Sequence, residues 1–134
     1  MRATPGTVRR SRGALRRLAD AGPRGERLVL AIIFRLAPRF TRARAVSRTE
    51  GSVEWRIAHA DGTASTYAMV FADDRCRTHR GARAEPDLTL TLSAADFRAV
   101  ALDGADAVAL VFAGRMRVNG DIMLGVRVGR CFRR

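Results

Sequence analysis

Lysine and glutamine are absent from this 134-residue sequence, and asparagine occurs once, at Asn119. All 25 basic residues are therefore arginine, a bias that reflects codon composition more than function. Aromatic residues make up only 6%. Cysteine is scarce: Cys76 and Cys131 lie far apart and form no C-x-x-C motif. That excludes a disulfide scaffold and points to reduced thiols in a cytoplasmic protein. His59 and His79 are the only histidines. Cys76 and His79 have a C-x-x-H spacing, but no second pair completes a metal site. Long apolar runs are missing as well. None exceeds the seven residues of Leu28 to Phe34, whereas a membrane-spanning helix needs about 20. The Arg9-Arg10 pair precedes a segment too charged for an export signal. There is no G-x-S-x-G, no glycine-rich phosphate loop and no dense His/Asp/Glu cluster. The sequence therefore predicts no enzyme, no catalytic residue and no cofactor.

Positive charge is abundant and unevenly placed. The net charge is +12. Residues 1–48 hold 13 arginines against Asp20 and Glu26, while residues 49–134 hold 12 arginines against 11 acids. A nearly neutral body with a cationic arm implies an anionic partner surface for the arm. Scattered glycine, proline and arginine predict a flexible arm over residues 1–22 and a single domain over 23–134. Within the arm, Ala14 to Ala21 can form a short basic helix. Arg9, Arg10, Arg12, Arg16 and Arg17 would meet an anionic membrane, with Leu15 and Leu18 at its interface. The alternative is a basic nucleic-acid-binding protein acting through residues 1–48. Low aromatic content and the lack of a recognisable binding module disfavour it.

Periodicity lays out the rest. Val29, Ile32, Ile33, Leu36 and Phe40 mark one helical face from Arg24 onward, widened by Leu30 and Phe34, and Pro38 ends or kinks it. Packing on the domain accounts for that face. A lipid surface or a second subunit, giving a homodimer through Leu28 to Phe34, is the alternative. After an Arg-rich connection the period becomes two. Val53, Trp55 and Ile57 alternate with Glu54 and Arg56. Tyr67, Met69 and Phe71 alternate with Ala68 and Val70, and Cys76 and Thr78 with Arg75, Arg77 and His79. The three runs form an antiparallel meander. Leu88 to Leu92 is a further strand, and Ser93 with Asp96 resembles a capping box that opens a helix carrying Phe97, Val100 and Ala101 inward. A helix from Asp106 to Ala113 should bury Val108, Val111 and Phe112. A strand with Met116 and Val118 follows, and Asp121 caps a final helix carrying Ile122, Met123, Val126 and Leu124. The fifth strand, reached from the fourth through helices, is expected to lie parallel to it if the two are neighbours. The fold expected is α+β, a five-stranded mixed sheet covered by helices.

Met69, Met116, Met123, Phe71, Phe97 and Phe112 supply adaptable apolar volume, which suits both an ordinary core and a ligand pocket. The stretch PDLTLTLSAADFRAVALDG followed by AGRMRVNGDIMLGVRV resembles the signature half of the sterol carrier protein type 2 domain family. The shared elements are Asp87 to Leu92, Ser93 to Phe97, and Gly114 to Asp121 running into Ile122 to Val128. The Arg-rich N-terminus is foreign to that pattern, and the short stretch beyond Val128 suggests a loosely closing final helix. The resemblance implies a small lipid-binding domain with no catalytic residues, while the reduced cysteines point to the cytoplasm and the basic arm to a peripheral place at a membrane. It would hold a fatty acid, acyl-CoA, phospholipid or sterol-like ligand in an apolar tunnel between sheet and helices. The expected lining is Trp55, Ile57, Met69, Phe71, Leu90, Phe97, Val100, Phe112, Met116, Val118, Met123 and Val126. An acyl chain of a dozen carbons gains on the order of 10 kcal/mol there before ordering costs.

Overall fold

Alternating apolar residues give one face of a sheet to the core, and the register shows how far that face extends. The computed structural model describes residues 5–20, 22–83 and 85–132, with only the backbone described for 5–12. Five strands are ordered β3-β2-β1-β4-β5, where β1 is Gly51–Ala58, β2 Ala64–Ala72, β3 Arg75–Arg80, β4 Leu88–Ser93 and β5 Met116–Gly120. The meander β1-β2-β3 is antiparallel, as the turn residues predict. Pairing sets Val53 beside Met69 and Leu88, Ile57 beside Leu92, and Leu92 beside Met116, all on one face. The sheet is mixed for a different reason from the one expected. Its parallel pair is β1 with β4, and β5 lies antiparallel to β4. Two helices join β4 to β5, each reversing the chain, so β5 starts at the end where β4 finishes.

The helices are α1 (Pro5–Asp20), α2 (Pro23–Leu36), α3 (Ala43–Ser47), α4 (Ala94–Asp103), α5 (Ala107–Phe112) and α6 (Ile122–Phe132), with a 3-10 turn at Ala37–Phe40. The α1 helix starts at Pro5, well before the expected Ala14, and packs along α2. Over its described length this segment is helical where a flexible arm was expected. The α3 helix falls in the Arg-rich connection, where no element was expected. Its five residues are too few to show a period.

Of the Leu28–Phe34 run, Val29, Leu30 and Phe34 turn into the chain's own core, and only Leu28 is exposed. Phe40, expected on the inward face, is 55% exposed because α2 gives way to the 3-10 turn at Ala37 and rotates it out. Phe34 enters an aromatic cluster. Its ring stacks on Tyr67 at 4.2 Å and on Phe97 at 5.1 Å, and meets Trp55 edge-on at 6.1 Å. Trp55 also meets Phe97 edge-on at 5.5 Å. These contacts join α2, α4, β1 and β2.

A second junction closes the other end of the sheet. Asp87 accepts a bond from the Ser52 amide at 2.8 Å, donates its own amide to Ser52 O at 3.0 Å, and accepts from the Asp121 amide at 2.9 Å. Gly120 lies against it with φ +112, and a Cβ there would come within 2.4 Å of the Asp87 carbonyl oxygen. Only glycine fits that approach.

Truncating the central ring tests the packing. Phe34→Ala is expected to lower stability by about 3–5 kcal/mol, read as a shift of the urea midpoint with an unchanged slope.

Candidate functional site

The helices that follow β4 expose unusual amounts of apolar surface. In α5 the inward residues are Ala107 and Leu110, which pack on the core. Val108 (50%), Val111 (39%) and Phe112 (87%) are exposed, contrary to the expected facing. In α6 the buried stripe is Leu124, Val128 and Cys131 at i, i+4 and i+7. Ile122 (64%), Met123 (59%) and Val126 (41%) therefore lie on the outer side. Ala101 of α4 is also exposed, and Leu102 is buried in its place. Periodicity identified these as helices. It gave the wrong face because each helix carries two apolar sides, and only one can meet the sheet.

The expected lining thus divides. Ile57, Met69, Phe71, Leu90, Phe97 and Met116 are buried in the core. Phe112, Met123 and Val126 are exposed on α5 and α6, and Val100, Trp55 and Val118 are half-buried. The half-buried sheet positions are informative. Register places Trp55, Leu90 and Val118 in one row across β1, β4 and β5, on the face that carries the core. That row spans about 10 Å at ordinary strand spacing. Trp55 and Val118 keep exposure on this face, so the helices do not fully cover them. The indole Nε1 of Trp55 is buried and has no hydrogen-bond partner among the described residues. Such orphan donors are rare in protein interiors.

Polar side chains around this surface hold the helices. Ser93 accepts from the Asp96 amide at 3.1 Å, as expected of a cap. The Asp96 carboxylate does not reach back. It takes Arg115 instead, at 2.5 Å and 3.2 Å, linking the start of α4 to the residue before β5. Asp121 caps α6 by accepting from the Leu124 amide at 3.1 Å. Of the residues expected at a membrane, Arg16 pairs with Asp103 of α4, Arg17 is exposed, and Leu15 and Leu18 are half-buried. The side chains of Arg9, Arg10 and Arg12 lie outside the described residues.

One constellation escaped the sequence entirely. His59 Nδ1 lies 2.5 Å from Glu26 Oε1, and His59 Nε2 lies 2.6 Å from Ser65 Oγ. A carboxylate only accepts, so Nδ1–H donates to Glu26, which leaves Nε2 to accept from the Ser65 hydroxyl. This order of groups serves nucleophilic catalysis in other proteins. Here the imidazole is only 1% exposed, so it acts as a strut between α2 and the β1–β2 hairpin. Its members come from three segments, with no local motif to betray them. Cys76 and Cys131 are both free thiols. Burial pushes the Cys76 thiol up to about 12, with Cys131 adding to the shift.

The chain belongs to a class of small α+β domains in which helices lie over a five-stranded mixed sheet. More narrowly, it belongs to the SCP-2 sterol transfer family, whose model matches residues 33–133. Solved structures agree on the fold. Apo sterol carrier protein 2 from Yarrowia lipolytica superposes with a TM-score of 0.63 at 17% identity, covering 78% of this chain and 87% of that one. The palmitated SCP2L2 of Aedes aegypti gives 0.56 at 18% identity, covering 70% and 88%. A UbiJ-SCP2 ubiquinone synthesis protein gives 0.57 at 22%, covering 78% and 89%. Among curated proteins no sequence relative matches this chain.

Two measurements check the site as drawn. His59→Ala leaves Glu26 and Ser65 without their partner and should cost about 1–3 kcal/mol in thermal or chemical unfolding. Cys76 should resist iodoacetamide at pH 8, where an ordinary thiol near 8.5 already reacts. Its rate should climb only as the pH approaches about 12.

Proposed function

We propose that this domain binds an apolar lipid and carries it without chemical change. The observation that carries the reading is the apolar surface of α5 and α6 beside the half-covered row Trp55–Leu90–Val118. Val108, Val111, Phe112, Ile122, Met123 and Val126 are all exposed, a concentration that monomeric proteins ordinarily cover. A lipid chain lying on Val118, between α5 and α6, removes these groups from water. The two helices then form the walls of an apolar tunnel, with Val100 and Trp55 at its inner end. Each methylene covered is worth about 0.8 kcal/mol, so affinity needs no catalytic or ionic group. The unpaired Trp55 Nε1 can donate to an oxygen of the ligand, which favours a lipid bearing a hydroxyl, carbonyl or carboxylate. The fatty acid, acyl-CoA, phospholipid and sterol-like classes all satisfy that requirement.

Family membership supports the reading, and so does the palmitated SCP2L2 of Aedes aegypti. The proposed wall residues are exposed, so changing them should spare the fold. Phe112→Asp and Met123→Asp are each expected to weaken displacement of a fluorescent fatty acid at least tenfold while leaving the unfolding midpoint within about 0.5 kcal/mol of the parent. Native mass spectrometry of the purified protein should show a co-purified lipid. Neither lipid nor displacement in the parent protein would end the carrier proposal.

A further inference from the structure

The opposite edge of the sheet carries a groove of about 500 Å³ between α2 and β3, lined by Ala31, Phe34, Arg35, Pro38, Tyr67, Cys76, Arg77, Thr78, His79 and Arg80. The size falls in the range of small-molecule sites. Its floor is apolar and firmly held. Phe34 and Tyr67 are stacked there, and Thr78 Oγ1 donates to Phe34 O at 2.6 Å, tying β3 to the end of α2. The rim is cationic, with Arg35 and Arg80 exposed on it, while the register turns the side chains of Arg77 and His79 to the other face of β3.

The charge on this rim is uncompensated. Arg16, Arg27, Arg56, Arg98, Arg115 and Arg127 each meet a carboxylate. Among the described residues no carboxylate lies within ion-pair distance of Arg35, Arg77 or Arg80, and none lines the groove. Asp73 shares a smaller pocket with Arg77, His79, Arg83, Val70 and Ala72. Arg35 and Arg80 therefore carry the argument. An apolar floor under an unpaired cationic rim matches a molecule that is apolar at one end and anionic at the other. The Cys76 thiol is neutral at ordinary pH and adds only apolar lining.

We propose that the α2–β3 groove is a second binding site, which takes a single-chain amphiphile with a carboxylate or phosphate head. The head sits between Arg35 and Arg80, and the tail lies on Ala31, Phe34 and Pro38. This site is separate from the lipid surface of α5 and α6. The stacked rings of Phe34, Tyr67 and Phe97 stand between the groove and the Trp55–Leu90–Val118 row, so one chain does not run through both. The inference does not depend on the carrier reading.

Calorimetric titration of the full chain with dodecanoate and with dodecyl phosphate tests it, with dodecanol and inorganic phosphate as controls. Both amphiphiles should bind, and the Arg35→Ala/Arg80→Ala double variant should weaken them at least tenfold. Phe112→Asp should leave this event unchanged even if it abolishes fatty-acid displacement, which separates failure of this site from failure of the carrier reading. Equal binding of dodecanol to the Phe112→Asp variant, where the α5–α6 surface is disabled, or of phosphate alone, would overturn the amphiphile. Parent-like affinity in the double variant, or loss of the event in Phe112→Asp, would move the anion elsewhere and remove the second site.

Discussion

The position of one ring, Phe34, decides most of what this domain can do. It leaves the side of α2 and is held between Tyr67 of β2 and Phe97 of α4, with Trp55 of β1 edge-on beside it. Aromatic pairs of this kind add roughly 0.5–1.5 kcal/mol each beyond their burial. Four elements thus share one packing centre. The same ring occupies the space between the sheet and α2, so an apolar guest must lie beyond it. The surface left over is the β5 side, where the helices are short and their outer faces are greasy.

That surface belongs to the least anchored part of the fold. The α5 helix has six residues, too few to be stable alone in water. It is held by Ala107 and Leu110 against the core, by its Asp106 cap on the Val108 amide at 2.9 Å, and by the Arg115 amide donating to Leu110 O at 2.9 Å. A small buried face and a wet outer face make a local opening inexpensive. The α6 helix is fixed differently. Leu124 and Cys131 are fully buried, and the Arg42 amide donates to Cys131 O at 2.9 Å. Of the two helices, α5 is thus the more lightly held and α6 the more firmly fixed.

Much of the fold was legible in the sequence, because period-two alternation at Val53–Ile57, Tyr67–Phe71 and Leu88–Leu92 has one physical solution when one face is buried. The Ser93 and Asp121 caps were legible for a similar reason, since a side-chain oxygen before an apolar run has a local partner. Facing was not legible in α5 and α6. Val108, Val111 and Phe112 compete with Ala107 and Leu110 for the same sheet. Ala107 and Leu110 win where α5 lies against β5. The direction of β5 depended on a second reversal between β4 and β5 that periodicity does not encode. Long-range polar groups were invisible too. Glu26, His59 and Ser65 form a chain of hydrogen bonds only because α2 crosses the β1–β2 hairpin. The uncompensated rim of Arg35 and Arg80 likewise exists only once α2 lies beside β3.

Register makes the last connection. Arg80, Tyr67, Trp55, Leu90 and Val118 form one continuous row across all five strands. The row grades from a cation at the β3 edge to a half-covered valine at the β5 edge. Phe34 and Phe97 stand over its middle, with the polar-rimmed groove on one side and the half-covered Val118 on the other. A smaller residue at position 34 would merge the two halves into one long amphiphilic channel, at the cost of the contacts that hold α2. Stability and ligand length are therefore set by the same side chain. A ring that fills the centre favours a packed core over a marginal one with a deep cavity. The exposed apolar residues then fall on α5 and α6, outside a core that is packed without them.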